Sequence, residues 1–184
     1  MDDAGSVAAR VVTALDAAGL RAAIGGALAL GWWARPRATL DADINVFCSP
    51  REHAALVGVL MSLGARPYDA DPAGRLDAGD AAFFDLGGTR VGIFAPSIPF
   101  YAEAAGDLHD AMFGGVPVRV LGPYSLAVFK LLFFRPKDLN DLEELYASQR
   151  DMCQPQRVEA AIAAMLGEDD PRIAAWRRIV AGAP

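Results

Sequence analysis

Ile24-Gly25-Gly26-Ala27-Leu28-Ala29-Leu30-Gly31-Trp32-Trp33-Ala34-Arg35-Pro36-Arg37-Ala38-Thr39-Leu40-Asp41-Ala42-Asp43-Ile44-Asn45-Val46-Phe47 is the stretch around which the chain is organised. It reads as a glycine turn, a short apolar helix, a basic loop, and a strand that opens with two carboxylates. From residue 41 polar and apolar residues alternate, so Asp41, Asp43 and Asn45 share one face and Ala42, Ile44 and Val46 the other. Two aspartates separated by one strand residue stand roughly 7 Å apart at Cα, from a rise of ~3.3 Å per residue. Like charges that close are unfavourable in a buried place unless a cation or an Arg neutralises them, so the pair suits one divalent cation or two. A solvated strand end is the plainer reading of a bare Asp-x-Asp. The turn in front shifts the weight, because a helix that starts at Gly25-Gly26 presents free backbone N–H groups to an anion. An isolated Gly-Gly is equally a tight strand-to-helix turn with no ligand.

Working outward, 184 residues are enough for one domain with a substantial core, and a single domain over 1–184 is expected. Hydrophobic residues make up 53% and charged residues 22%, which excludes a disordered chain. The uncharged run 22–34 has 13 residues, short of the ~20 a membrane span needs. No apolar signal core follows the acidic Met1-Asp2-Asp3, so a cytoplasmic protein is expected. Cys48 and Cys153 form no Cys-x-x-Cys, and His53 and His109 fall in no metal-binding pattern. The net charge of −6 weighs against broad, nonspecific nucleic-acid binding. Of 17 cationic residues only Lys130 and Lys137 are lysines, and both fall in one short segment. A lysine in so Arg-biased a chain hints at a place that needs a compact ammonium.

The pattern predicts a helix over 6–18 ended by Gly19, a buried strand over 20–24, and a helix over 27–34. Ser49-Pro50-Arg51-Glu52 is a capping box with proline at the first helical position, opening a helix to about Leu63. Residues 69–79, rich in Asp, Gly and Pro, read as an exposed loop. Hairpins are expected over 81–94 about Gly87-Gly88 and over 108–121 about Gly114-Gly115, with a short helix at 100–105 between them. Helices follow over 124–134, 137–148, 155–166 and 170–181. Strands before residue 122 and helices after it imply an α+β fold: a mixed sheet flanked by helices in a core of about 1–121, with a helical C-terminal portion of about 122–184 packed on it.

Gly25-Gly26, Thr39-x-Asp41-x-Asp43 and Lys130-Leu-Leu-Phe-Phe-Arg135-Pro-Lys137-Asp138-Leu-Asn-Asp141-Leu, in that order and spacing, resemble the nucleotidyltransferase superfamily with the polymerase-β-like fold. Within it the sequence looks most like the AbiEii/MenT group of toxin–antitoxin nucleotidyltransferases. The resemblance implies that Asp41 and Asp43 bind Mg²⁺, that Gly25, Gly26 and Thr39 hold phosphate, and that Lys130 contacts the triphosphate of an NTP. It also turns the helix of Asp138 and Asp141 toward the nucleotide and brings Arg35, Arg37 and Arg135 into reach of phosphate. Asp138 is equally an acid stabilising a helix N-terminus, and Arg135 its ion-pair partner. Phosphoryl-type transfer needs metal ions to clamp the attacking and leaving oxygens, and cations to spread the developing charge.

One departure matters. The family carries a third carboxylate in the strand read at Arg90-Val91-Gly92-Ile93-Phe94, and this chain has Gly92 there. A two-residue turn at Gly87-Gly88 pairs Asp85 with Arg90 and turns Asp85 to the same face as residue 92. Asp85 is therefore either a stand-in or, as the better expectation, the ion-pair partner of Arg90. The expected activity is Mg²⁺-dependent transfer of an NMP from an NTP to a hydroxyl. By resemblance to the toxins, the acceptor is tRNA and an antitoxin is the partner. A small, antibiotic-like acceptor suits an acidic chain better, and an impaired nucleotide- or partner-binding protein is the reading that Gly92 supports. An RNA enzyme should show a basic stripe beside the pair, from Arg35, Arg37, Arg66 and Arg119. At most one of Trp32 and Trp33 is expected near a ligand, because adjacent helix positions face different ways, and Trp176 is expected in the core.

Overall fold

Capping residues and apolar alternation set most element boundaries in the computed structural model, which describes residues 3–182. Helix α1 (Ala4–Ala17) starts where the Asp3 carboxylate accepts the Ser6 N–H at 2.7 Å. Strand β1 (Ala22–Ile24), helix α2 (Gly26–Trp33) and strand β2 (Asp41–Val46) make up the defining stretch. A 3₁₀ turn, Pro50–Glu52, carries the Ser49/Glu52 capping box into α3 (His53–Ser62). Then come β3 (Arg66–Pro67), α4 (Pro72–Asp77), the hairpin β4 (Ala82–Leu86) and β5 (Thr89–Phe94), and α5 (Tyr101–Ala104). A second hairpin, β6 (Leu108–Phe113) and β7 (Val116–Leu121), precedes five helices: α6 (Pro123–Phe133), α7 (Pro136–Ser148), α8 (Arg150–Cys153), α9 (Pro155–Leu166) and α10 (Pro171–Gly182).

Three elements depart from the sequence reading: the two-residue edge strand β3, α4 and α8. The expected loop 69–79 contains α4, because Asp71 accepts the Gly74 N–H at 2.9 Å and Pro72 occupies the first turn. Leu76 of α4 is buried, and Asp77 accepts a 2.7 Å hydrogen bond from His53 Nδ1, which ties α4 to α3. Its Gly and Pro content concealed a cap. The single turn α8 fills what reads as a connection between α7 and α9.

Seven strands form one mixed sheet in the order β3-β4-β5-β2-β1-β7-β6. β2 is central, antiparallel to β1 and parallel to β5. Helix α1 lies across β1, β2 and β7, where Ala42, Ile44 and Val46 of β2 are fully buried. The other face of β2 meets α2, which in turn packs on α6 and α7. The architecture is therefore α+β, with a mixed sheet flanked by helices and a helical C-terminal portion. No helix among the described residues is long and apolar enough to cross a membrane. Trp176 is buried, its indole N–H donating to the Pro155 carbonyl at 2.9 Å.

Candidate active site

The polar face of β2 carries two carboxylates side by side in the middle of the sheet. Asp41, Asp43 and Asn45 lie on that face, and the Gly25-Gly26 turn rests directly on it. The Gly25 N–H donates to the Asp43 carbonyl at 2.8 Å. A Cβ on Gly26 would collide with Asp43 Oδ2, and one on Gly25 would collide with Asn45 Nδ2. Gly26 also has φ +56°, the left-handed region that favours glycine. Both positions thus need glycine for close approach of the turn to the carboxylate strand. Tyr101 of α5 donates from its hydroxyl to Asn45 Oδ1 at 3.2 Å and fixes the amide.

Burial pushes the Asp43 carboxyl up from the usual range, and the charge on Asp41 adds to this, while Lys130, Arg90 and Arg135 oppose it. Three cations stand within electrostatic reach, yet the balance leaves Asp43 short of positive charge. Carboxylate oxygens are the donors a hard divalent cation takes, so the pair fits one such ion, which would reverse that deficit. A second ion finds less. Position 92 is the register partner of Asp43 on β5 and carries no side chain. Among the described residues no cluster of three or more Asp, Glu, His or Cys is arranged to hold a metal. Asp85 does not take the place, since it pairs with Arg90, two residues along β5 from Gly92, and stands one strand further from β2. The expected Asp85–Arg90 ion pair is also not the one formed. The Arg90 guanidinium lies 3.9 Å from the centre of the Phe83 ring, and its terminal nitrogen is 3.7 Å from Asp41 Oδ2.

Lys130 is carried into the site by the last turn of α6. That helix starts with Pro123 and a Ser125 N–H donated to Asp107 at 2.8 Å, and ends at Phe134 in the left-handed region (φ 54°). Phe134 reverses the chain so that Arg135 opens α7. Lys130 Nζ donates to Asp141 Oδ2 at 2.6 Å, and Arg37 grips the same carboxylate through Nε at 3.0 Å and a terminal nitrogen at 3.1 Å. Burial pushes the Lys130 ammonium down from its usual range, with the Asp141 contact pushing back. Burial also works against the Asp141 charge, but the hydrogen bonds from Arg37 and Lys130 prevail and hold its carboxyl below the usual range. The three groups form a charged cluster. Asp138, 1% exposed, accepts from Arg135 N at 3.1 Å, Nε at 2.6 Å and a terminal nitrogen at 3.1 Å. Asp138 thus caps α7 and pairs with Arg135, and both residues also line the adjoining cavity.

These groups border a cavity of about 280 Å³ between β2, the loop after β5, α5 and α6. Gly26, Asp43, Asn45, Lys130, Arg135 and Asp138 supply most of its polar side, with Ser97 and with Asp80, which stands 3.5 Å from Arg75. Phe94, Ile98, Tyr101, Phe129 and Phe133 supply an apolar one. Sequence reading missed that apolar side. Phe129 and Phe133 stand four apart on α6, a spacing that marks one helix face, but only the fold brings Phe94 and Tyr101 to meet them. Gly25, Arg37, Asp41 and Asp141 do not line the cavity; Gly25 precedes Gly26 in the turn and Asp41 lies two residues before Asp43 on β2. Thr39 is engaged locally, with the Asp41 N–H donating to its hydroxyl at 3.2 Å, and Arg35 is exposed in the loop between α2 and β2. Neither tryptophan lines the cavity: Trp33 donates to the Leu121 carbonyl at 2.8 Å and Trp32 lies 43% exposed near Phe113. A wider groove of about 580 Å³ between α7 and α10 holds none of the site residues.

No protein-family model matches the sequence, and no curated protein matches it. Solved structures do match. The solution structure of the antibiotic-resistance factor ANT(2'')-Ia, with substrate-regulated conformation dynamics, is similar at TM-score 0.61 and 18% identity, covering 97% of each chain. ANT(2'')-Ia in complex with adenylyl-2''-tobramycin is similar at TM-score 0.60 and 18% identity, over 94% of this chain and 96% of that one. An antigenic nucleotidyltransferase-like protein from Paracoccidioides brasiliensis gives TM-score 0.58 and 15% identity, over 95% of this chain and 93% of that one. The fold is the nucleotidyltransferase fold, as the sequence motifs implied.

Proposed function

We propose that this protein is a cytoplasmic nucleotidyltransferase that moves a nucleoside monophosphate from an NTP to a hydroxyl of a small, cationic acceptor. The observation that carries the reading is the Asp41/Asp43 pair, set under the Gly25-Gly26 turn and short of positive charge, beside a cavity that also receives Lys130 and Arg135. In this reading Asp41 and Asp43 hold Mg²⁺, which when bound supplies Lewis-acid stabilisation of the phosphoryl oxygens. Gly25 and Gly26 let the backbone approach the phosphates, and Lys130 and Arg135 spread the negative charge of the triphosphate. Asp141 and Asp138 hold those two cations in place, and Arg37 closes the loop that carries Thr39 onto α7. The acceptor oxygen bonds to the α-phosphorus as the bond to the bridging oxygen breaks. Pyrophosphate leaves, and the hydroxyl proton passes to water at the half-exposed Asp41.

A small acceptor is favoured over tRNA, and so over the toxin role with an antitoxin partner, by the fate of the expected basic stripe. Arg37 is committed to Asp141 and Arg119 to Asp16 of α1, which leaves Arg35 exposed in the loop before β2 and Arg66 exposed on the edge strand β3, three strands from β2. The full-length likeness to a fold solved with adenylyl-2''-tobramycin supports the same choice. A second reading, a nucleotide-binding protein without transfer, is favoured by Gly92 alone. The test is transfer of label from each α-³²P NTP with Mg²⁺ onto aminoglycosides such as tobramycin and onto total tRNA, in the native protein and Asp41→Ala. Label on the small acceptor, falling by about a thousandfold in Asp41→Ala, is the expected outcome, about 4 kcal/mol of barrier. Label on tRNA alone would overturn the acceptor. Mg²⁺-dependent NTP binding without any label would decide for the second reading.

A further inference from the structure

β5 is the strand paired with the start of β2, and it does not treat the two carboxylates alike. On β5 the register sets Arg90 beside Asp41 and Gly92 beside Asp43. The strand thus offers a guanidinium and a bare Cα where a carboxylate could have stood. On β4, Phe83 is the register partner of Gly92. Its Cε1 lies only 3.1 Å from where a Cβ at 92 would be, so the ring rests over the glycine. The guanidinium of Arg90 then stacks on that ring at 3.9 Å and reaches Asp41 Oδ2 at 3.7 Å. Asp85 is the register partner of Arg90 on the other side, yet the guanidinium turns to Asp41. Gly92, Phe83 and Arg90 work as one device: the missing side chain admits the ring, and the ring seats the cation.

We infer that the Asp41/Asp43 pair takes one divalent cation per nucleotide rather than two, and that Arg90 supplies the second positive charge from the protein itself. The inference rests on the nucleotidyltransferase reading above. Two cations held as a clamp sit about 3.5–4 Å apart and need shared carboxylates. One Mg²⁺ is commonly satisfied by one or two carboxylates together with substrate phosphates. The site offers the second arrangement and not the first. Arg90 is a fitting substitute, since a guanidinium stays charged at any working pH and forks onto carboxylate and phosphate oxygens alike. It acts as a positioning residue, holding Asp41 and keeping a further cation away from it. The protein thereby has a fixed charge where a second ion would have to be recruited.

The test counts Mn²⁺ bound per nucleotide, by electron paramagnetic resonance of free Mn²⁺, using the tightest binding of the four α,β-methylene NTP analogues. One Mn²⁺ per nucleotide is expected for the native protein and for Arg90→Lys. Two are expected once Arg90→Ala, Phe83→Ala and Gly92→Asp are combined. Without nucleotide, Arg90→Ala should bind Mn²⁺ about three- to tenfold more tightly, as a like charge a few ångströms away is removed, and Arg90→Lys should not. Arg90 is half-exposed, so its variants are expected to fold. Two Mn²⁺ per nucleotide in the native protein would overturn the inference and leave the nucleotidyltransferase reading intact. Unchanged Mn²⁺ affinity in Arg90→Ala would also overturn it. No binding of nucleotide or Mn²⁺ beyond that of Asp43→Asn would overturn both.

Discussion

The two aspartates at the start of β2 and the two in the first turns of α7 have the same chemistry and opposite surroundings. On α7 both aspartates are matched: Asp138 holds Arg135 through its side chain and backbone, and Asp141 holds Lys130 and Arg37 together. On β2 the nearest cation to Asp41 is a half-exposed guanidinium at 3.7 Å, and Asp43 is buried beside a like charge. A matched buried acid contributes to the fold, because removing either partner strands a charge. An unmatched one costs stability and is kept where a ligand is to complete it. On the proposed function, the difference separates scaffold from site among residues that sequence motifs present as one set.

That contrast can be broken in three places. Lys130→Met should leave Asp141 buried against Arg37 alone and lower unfolding free energy by about 3 kcal/mol. Denaturant unfolding without nucleotide measures it, and a loss well under 1 kcal/mol would show that Lys130 is held for the ligand and not for the fold. Gly26→Ala drives a methyl group into Asp43 at a positive φ, and should cost about 2 kcal/mol by the same measurement. If it is neutral, the turn does not rest on the carboxylate as described. Asp43→Asn works the other way. Removing a buried charge repelled by Asp41 should raise stability by about 1 kcal/mol while nucleotide-dependent Mn²⁺ binding is lost. A destabilised Asp43→Asn would place Asp43 with the matched pairs and erase the distinction.

Local signals in the sequence were enough for much of this. Both hairpins, the Ser49 capping box and the alternation over β2 are written within a few residues, so the strand carrying Asp41 and Asp43 and its buried partners Ala42, Ile44 and Val46 were legible. So was the pairing of Arg135 with Asp138, three apart at a helix start. Helix α4 was hidden because Asp71-Pro72 looks like loop chemistry until Leu76 and Asp77 find α3. Arg90 was misassigned for a different reason. The hairpin turn puts Asp85 opposite it, but the parallel pairing of β5 with β2 spans about fifty residues of chain, and no local rule says that β5 lies beside β2. The same long-range step hides the apolar wall of Phe94, Tyr101, Phe129 and Phe133, and the grip of Arg37 on Asp141.

Gly92 has a consequence for how this chain can change. Glycine and aspartate are neighbours in the genetic code, a single base apart between GGC and GAC, so a third carboxylate is one point mutation away. The route is nonetheless obstructed by packing. A Cβ at 92 would stand 3.1 Å from ring atoms of both Phe83 and Phe94 and 3.2 Å from Asp43 Oδ1, so the rings must give before the acid gains anything. Displacing Phe83 in turn unseats Arg90. The three positions are therefore coupled, and a step that is cheap in DNA becomes favourable only when taken together with the others. Such an arrangement behaves as a latch: with the aromatic ring settled over the glycine, no single substitution sets a carboxylate at 92 without disturbing Phe83 and Arg90.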